Sequence, residues 1–251
     1  MHSGFFSNPF REYADRVVGS FRFGQDKNTR DLIERVLDSA ERRKRQIEAG
    51  EKFWRAQLGH GDIVSIANDD GEWAYDSIRP HTQERMKPSS RFVGNGRANP
   101  MGIAYWYGAT DPETAVAEMR PWQGAVLTVA ELQVTRNLQL IDCGNTRPMV
   151  APLNREAGSA WERYVWNSIG EAFSRPVAPT TIDVEYAPTQ MLAEAFRMKE
   201  FDGIQYKSHL GEGMNVVVFD LSAFAIGERH LWTAKRVTYE LKRHGDEIQE
   251  Y

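Results

Sequence analysis

The order of strand-like and helix-like segments along the chain is the feature that most limits its fold. Short runs rich in β-branched and aromatic residues indicate strands, whereas longer runs with apolar residues at every third or fourth position indicate helices. The two types mix here without the regular alternation of a doubly wound parallel sheet, so the sequence predicts an α+β fold. Strands are predicted at 103–107, 124–134, 138–142, 203–207, 214–220 and 231–241, and helices at 26–49, 111–119, 161–173 and 189–199.

The beginning of the chain differs in pattern from the rest. Apolar residues recur at helical spacing from Asp26 to Ala49, and Gly50 is placed to end that helix. A turn-rich region follows at 62–100, where Gly, Pro, Asn and Asp cluster. The predicted units are an N-terminal helical extension at 1–50, the main domain at 51–225 and a C-terminal strand or tail at 226–251.

Composition excludes several classes of function. The net charge of −4 and pI near 5.9 provide no positive field for nucleic acid or for an anionic membrane, so small molecules or proteins are the expected partners. Cys143 is the only cysteine, and the six histidines lack metal-binding spacing, so a metal-free protein is expected. No run approaches the roughly 18 apolar residues of a membrane span, and no signal peptide is recognisable, so we expect a cytoplasmic protein.

One segment, GRANPMGIAYWYGATDPETAVAEMRP at 96–121, reads as a loop, a strand and a short helix that ends at Glu118. A carboxylate in the last turn of a helix lies at the negative end of the helix dipole, where it is disfavoured by about 0.3–1 kcal/mol. Two interpretations remain open from these residues. Glu118 either forms an ion pair with Arg120 or another surface cation, or it belongs to a site that needs an anion there.

The same segment holds two further candidates. Tyr107 lies at the predicted end of the strand, on the same face as Tyr105, and either packs in the core or lines a site beside the helix. The glycine-rich run GNGRANPMG bends the backbone around Arg97 but lacks the GKS or GKT of a phosphate-binding P-loop. An arginine held in this way suits a phosphate oxygen or a carboxylate.

Three blocks of the sequence closely resemble the RES domain family, named for an arginine, a glutamate and a serine and best known for toxins of RES–Xre toxin–antitoxin systems. The blocks are FWRAQLG at 53–59, GRANPMGIAYWYGATDPETAVAEMRP at 96–121 and FDGIQYKSHLGEGMNVVVFD at 201–220. The resemblance implies an ADP-ribosyltransferase-like mixed β-sheet core with flanking helices. It also implies an enzyme that destroys NAD+ by hydrolysis or phosphorolysis of the bond to nicotinamide.

The resemblance also implies which residues carry the chemistry. Arg55 and Arg97 correspond to the two arginines that would clamp the pyrophosphate of NAD+. Tyr107 corresponds to the strand-end tyrosine that offers a face to nicotinamide or ribose, and Ser208 to the serine that bonds ribose or carboxamide. Glu118 corresponds to the glutamate that stabilises the positive ribose left when nicotinamide departs.

Some positions depart from the family pattern or stay open. Gln57 replaces a residue that is often basic, and His209 stands where a serine or another small residue is common. Arg120 is a candidate for holding an attacking inorganic phosphate, with a salt bridge to Glu113 or Glu118 as the equal alternative.

Partners and rival functions follow from the same resemblance. NAD+ is expected as a substrate with no resident cofactor, inorganic phosphate as the alternative to water, and an Xre-type antitoxin as the protein partner; an oligomer stays open. Because the matching blocks begin at Phe53, we expect residues 1–48 to be dispensable for the chemistry but to matter for assembly or docking. The alternative functions are an ADP-ribosyltransferase acting on proteins and a non-catalytic interaction module.

Overall fold

Seven α-helices and ten strands make up the part of the chain that the computed structural model describes, which is residues 8–20, 25–67, 73–144, 158–178, 180–239 and 241. The helices are α1 (Pro9–Gly19), α2 (Lys27–Ala40), α3 (Gln83–Met86), α4 (Pro112–Glu118), α5 (Gly158–Ser174), α6 (Ile182–Glu185) and α7 (Ala187–Met198). The strands are β1 (Lys44–Ile47), β2 (Lys52–Leu58), β3 (Ile63–Ala67), β4 (Trp73–Ile78), β5 (Trp106–Ala109), β6 (Val126–Val134), β7 (Leu138–Asp142), β8 (Gly203–Lys207), β9 (Met214–Val218) and β10 (Phe224–Thr233).

Eight of the strands form one sheet in the order β1-β7-β8-β9-β5-β2-β6-β10. Strands β7 and β8 run parallel, whereas the other neighbouring pairs are antiparallel, so the sheet is mixed. The parallel pair is joined through α5, α6 and α7, as the long crossover between parallel strands requires. The predicted α+β class, with a mixed sheet and flanking helices, is confirmed.

Helices α1, α2, α5 and α7 contribute to one large apolar cluster with one face of the sheet. Tyr105 belongs to this cluster and Tyr107 packs against it, whereas Trp106 belongs to a cluster with Phe53 and Val216. Neighbouring residues of the β5 segment therefore point to opposite sides, as the period of a strand requires. The predicted shared face of Tyr105 and Tyr107 is confirmed.

The first fifty residues are not a single helical extension. The helix predicted at 26–49 ends at Ala40, and residues 44–47 form β1, which pairs antiparallel with β7. Arg43 stabilises the junction, because its Nη1 donates to the carbonyl oxygen of Asp142 at 3.1 Å. Pairing with the open edge of β7 thus outweighs the local helix preference of this segment. The first two helices also contribute buried core residues such as Tyr13.

Two predicted strands are displaced along the chain. Strand β5 starts three residues later than predicted, and the strand predicted at 231–241 is β10, which ends at Thr233. A bulge between Ile226 and Arg229 breaks the alternation in β10, which is why its first half did not read as a strand. Because β10 pairs with β6 from Phe224 onward, the predicted boundary at 225/226 falls inside a strand of the main sheet.

The region at 62–100 is more regular than its turn signals indicate. It holds the hairpin of β3 and β4, which forms a separate two-stranded sheet, and the short helix α3. The remaining predicted helices, and the strands from β6 to β9, lie within three residues of their predicted positions at each end. In the described ranges, no helix has the length and apolar character that crossing a membrane would need.

The packing of β1 gives a direct test of its place in the fold. Ile47 is fully buried, whereas its neighbour Gln46 is exposed. We expect Ile47→Ala to lower the free energy of unfolding by about 2–4 kcal/mol, because it leaves a cavity in the core. Gln46→Ala is the matched control and should change it by no more than about 0.5 kcal/mol. If both substitutions change the free energy of unfolding equally and only slightly, as measured by denaturant unfolding, β1 is an extension that the core does not need.

Candidate functional site

A cavity of about 390 Å³ opens beside strands β2 and β5 and helix α4. Strand β2 pairs with β6 along its whole length but with β5 at a single position, Trp54 opposite Ala109, so the two strands diverge and leave a cleft. The volume falls in the range of about 300–1,000 Å³ that is usual for small-molecule sites. Polar or charged residues that line the cavity include Arg55, Tyr107, Glu118, Tyr206 and Asn215.

Glu118 is anchored in this cavity by two hydrogen bonds. Asp111 caps the beginning of α4, and Glu118 lies in its last turn, as predicted. Its Oε1 accepts from Ser208 Oγ at 2.7 Å and from Asn215 Nδ2 at 2.7 Å. Within the described part of the chain Arg120 forms no ion pair with Glu118, so the surface-pair interpretation with that residue is wrong.

Both donors bind the same oxygen of Glu118. Among the described residues no hydrogen bond reaches Oε2, so Oε2 is the oxygen left for a ligand. The hydroxyl of Ser208 has one proton, which it gives to Glu118, while its oxygen accepts from Leu210 N and Gly211 N at 3.0 Å. In this structure Ser208 therefore positions the carboxylate, and its proton is not free for ribose or carboxamide.

The loop that carries Ser208 is fastened to the beginning of α4. Gly213 N donates to Thr114 Oγ1 at 3.0 Å. A Cβ atom at Gly213 would lie 1.8 Å from Asp111 Oδ2, and one at Gly211 would lie 2.5 Å from Thr114 Oγ1. Only glycine permits this close approach, which fixes the distance between the loop and the helix.

Arg55 fills the gap between the diverging strands. Its Nε donates to the carbonyl oxygen of Met86 and its Nη1 to that of Tyr107, both at 3.0 Å. Burial, and to a lesser degree the charge of Arg85, lowers the pKa of Arg55 to about 10, so it remains a cation at neutral pH. Arg55 thus holds β2 and β5 at their separation, and among the described residues its Nη2 makes no hydrogen bond.

The hydroxyl of Tyr107 is occupied by the glycine-rich loop. It donates to Asn99 Oδ1 at 2.6 Å and accepts from Ala98 N at 3.1 Å. A Cβ atom at Gly96 would lie 2.5 Å from this hydroxyl, so the loop passes directly over the ring. Burial raises the pKa of Tyr107 above its ordinary value, so the hydroxyl stays protonated. Tyr107 lines the cavity and also positions the loop of Arg97.

Arg97, like Ser208 and Arg120, is a predicted site residue that does not line the cavity. Its Nη1 donates to the carbonyl oxygen of Arg175, just beyond the end of α5, at 2.6 Å. Its guanidinium carbon lies 5.3 Å from the centre of the Tyr186 ring. The next residue, Ala98, donates to the hydroxyl of Tyr107, which lines the cavity, so Arg97 borders the site from the side of α5.

Two residues of the site were missed from the sequence. Asn215 supplies the second anchor of Glu118, and Tyr206 lines the cavity from β8. Each carried a signal: Asn215 is a lone amide in the apolar run MNVVVFD, and Tyr206 lies two residues before Ser208, at the spacing of one strand face.

The remaining candidates lie at different distances from the cavity. Gln57 lines it, and its Oε1 is buried without a hydrogen-bond partner. His209 lines a second cavity of about 930 Å³ that Ser208 also borders. Arg120 is exposed, with a φ of 47°, and does not line the Glu118 cavity. No cluster of three or more His, Cys, Asp or Glu side chains able to hold a metal occurs in the described ranges.

A family model described as the RES domain matches residues 69–240, which is more than half of the chain. The chain belongs to the RES domain family. The match to the RES domain includes Arg97, Tyr107, Glu118 and Ser208 and begins after Arg55. Arg55 is therefore placed in the site by its contacts in the cleft.

One solved structure resembles this RES domain chain at 16% sequence identity, the crystal structure of the M. tuberculosis MbcT–MbcA toxin–antitoxin complex. The TM-score is 0.42, and the alignment covers 81% of this chain and 92% of the other. No curated protein matches the chain.

The hydrogen bond between Ser208 and Glu118 predicts that substitutions of these two residues have coupled effects on stability. We expect Ser208→Ala to lower the free energy of unfolding by about 1.5–3 kcal/mol, since the carboxylate loses a charge-assisted hydrogen bond. When Glu118 is already replaced by Ala, Ser208→Ala should lower the free energy of unfolding clearly less, because the carboxylate that Ser208 binds is no longer present. The bonds of Ser208 to its own loop are lost in both backgrounds and cancel in the cycle. If Ser208→Ala lowers the free energy of unfolding equally in both backgrounds, as measured by denaturant unfolding, Ser208 does not anchor Glu118.

Proposed function

We propose that this RES domain cleaves the bond between nicotinamide and ribose in NAD+, by hydrolysis or phosphorolysis, and that it acts as a toxin. The observation that carries the proposal is the state of Glu118. One of its oxygens is fixed by Ser208 and Asn215, and the other has no hydrogen-bond partner among the described residues, in a cavity of suitable size for a small ligand. Family membership supports the same reading.

The proposed reaction needs a fixed negative charge more than it needs an acid. Nicotinamide leaves NAD+ with the electron pair of the C1′–N bond and becomes neutral, so no proton has to be supplied to it. The ribose left behind carries positive charge at C1′ and its ring oxygen. Oε2 of Glu118 would stabilise that charge, and the two hydrogen bonds to Oε1 hold the carboxylate in place before the charge develops.

The attacking group decides the product. If water attacks C1′, it loses a proton and the product is ADP-ribose. If inorganic phosphate attacks, the product is ADP-ribose phosphorylated at the same carbon. Arg120 is the candidate for holding that phosphate, although it lies outside the lining of the cavity.

Arg55 and Arg97 are the two cations that we assign to the pyrophosphate. Arg55 lines the cavity as a half-buried cation whose Nε and Nη1 bond backbone carbonyls, which leaves Nη2 to face a ligand. Arg97 borders the site, with one nitrogen bonded to the Arg175 carbonyl. Guanidinium groups suit pyrophosphate because they donate several hydrogen bonds in a fixed plane. We propose that together they hold the dinucleotide while its nicotinamide ribose reaches Glu118.

Product analysis tests the reaction. Purified protein given NAD+ without a protein acceptor should release free nicotinamide, with ADP-ribose as the second product if water attacks and, only when inorganic phosphate is added, phosphorylated ADP-ribose if phosphate attacks. Glu118→Gln should lower turnover by roughly 10²–10³-fold, as expected when a preorganised charge worth about 3–4 kcal/mol is lost. Binding of NAD+ should change much less, because the loss falls on the transition state.

The same assay distinguishes the rival functions. Release of nicotinamide only when a protein acceptor is present would favour a protein ADP-ribosyltransferase. Absence of both turnover and NAD+ binding would favour a non-catalytic interaction module. Near-normal turnover of Glu118→Gln would show that Glu118 is not the stabilising group.

We also propose that an Xre-type antitoxin restrains the enzyme by covering the cleft of Arg55 and Glu118. An enzyme that empties the NAD+ pool of its own cell requires such a partner. Expression of the wild-type chain alone should therefore lower cellular NAD+ and stop growth, whereas Glu118→Gln, expressed to the same level, should do neither. Normal growth with an unchanged NAD+ pool at high expression of the wild-type chain would count against the toxin assignment.

A further inference from the structure

Tyr206 is a buried residue whose hydroxyl keeps access to the cavity that Glu118 lines. The residue lies on β8, is only 3% exposed and lines the same cavity as Glu118. Its ring packs against Phe173, with 5.7 Å between ring centres, so the side chain is held in one orientation. Within the described ranges no hydrogen bond joins this hydroxyl to another residue.

The other buried tyrosines of the core differ in this respect. The hydroxyl of Tyr13 donates to the carbonyl oxygen of Pro188 at 2.8 Å, and that of Tyr105 accepts from Arg197 Nη1 at 3.4 Å. The hydroxyl of Tyr206 has no such partner among the described residues. A tyrosine that is held in one orientation on the wall of a ligand-sized cavity is placed to bind a ligand through that hydroxyl.

The surroundings of Tyr206 limit what this partner is. Burial raises the pKa of Tyr206 well above its ordinary value, Tyr107 and Glu118 add to the rise, and Arg97 opposes it. The hydroxyl is therefore protonated at neutral pH and available as a donor. Tyr206 lies opposite Asn215, the anchor of Glu118, in the pairing of β8 with β9, and the charge of Arg97 also acts on it.

We propose that Tyr206 is a substrate-binding residue whose hydroxyl donates a hydrogen bond to a phosphate oxygen on the nicotinamide-ribose side of NAD+. This inference rests on the proposed function. If Glu118 faces C1′ of that ribose and Arg97 attracts the pyrophosphate, the phosphate attached to the same ribose lies between them. A phenol makes its strongest hydrogen bond to a charged oxygen. Tyr107 cannot serve in its place, because its hydroxyl is bonded to Asn99 and Ala98.

The test is Tyr206→Phe, which removes only the hydroxyl. The melting temperature of the ligand-free protein should stay the same or rise, since no protein hydrogen bond is lost. The KM for NAD+ and the Kd for ADP-ribose should each rise about tenfold, the usual effect of losing one hydrogen bond to a charged group. Inhibition by nicotinamide should stay unchanged, because nicotinamide carries no phosphate.

Tyr13→Phe is the matched control. It removes a buried hydroxyl that is hydrogen-bonded to the protein, so the melting temperature should fall while the KM for NAD+ stays the same. This opposite pattern separates a binding role from a structural one.

Three results would overturn the assignment. Unchanged affinities for NAD+ and ADP-ribose in Tyr206→Phe, in a protein whose wild type consumes NAD+, would refute the inference and leave the proposed function standing. Weaker inhibition by nicotinamide with unchanged ADP-ribose binding would place the donor at the nicotinamide instead. A wild type that neither binds nor consumes NAD+ would refute the proposed function, and the role of Tyr206 with it.

Discussion

The two hydrogen bonds to one oxygen of Glu118 are the contact on which the rest of the site depends. They join the last turn of α4 to the loop at Ser208 and to Asn215 on β9, three places that lie far apart in the sequence. A carboxylate at that end of a helix is opposed by the helix dipole. Two donors offset this cost and also fix the orientation of the group. The unfavourable position of Glu118 is thus stabilised by the same bonds that leave its second oxygen open.

Most polar groups around the cavity are already bonded to the protein. Arg55 on β2 holds the backbone carbonyls of Tyr107 on β5 and Met86 on α3, and Tyr107 holds the loop that carries Arg97. These bonds make the cleft rigid before any ligand enters, which is the condition for electrostatic stabilisation without reorganisation. Among the residues that the structure describes, Glu118 Oε2 and the Tyr206 hydroxyl have no hydrogen-bond partner and stay open to a ligand.

Local patterns predicted the elements better than their pairing. The helix α4, with Asp111 as its cap and Glu118 in its last turn, followed from capping and periodicity, and β7 and β8 matched their predicted bounds. Strand β1 did not, because its conformation is set by pairing with β7, which begins about 90 residues later. Periodicity describes one segment at a time and carries no information about such a partner.

The candidate site was likewise predicted in part, with its residues named but not all of their contacts. The family resemblance assigned functions to Glu118 and Ser208, and the structure brings the two into contact across 90 residues of sequence. It did not identify Asn215 or Tyr206. Asn215 matters because it donates a hydrogen bond to Glu118, and Tyr206 because its hydroxyl has no partner among the described residues. Both facts are visible only in three dimensions. Arg97 shows the opposite limit, since its loop was predicted but the direction of its side chain was not.

The order of the strands also sets the order in which the site is assembled. Glu118 is synthesised 90 and 97 residues before the two groups that hold it. Strand β5 lies between β2 and β9, so its second neighbour is likewise made long after its first. A chain emerging from the ribosome, with its N-terminal part first, carries the helix and its carboxylate well before it carries their anchors. A chain whose translation stops before Ser208 therefore contains Glu118 without a site, and a cell is exposed to the assembled cleft only once β9 has been made.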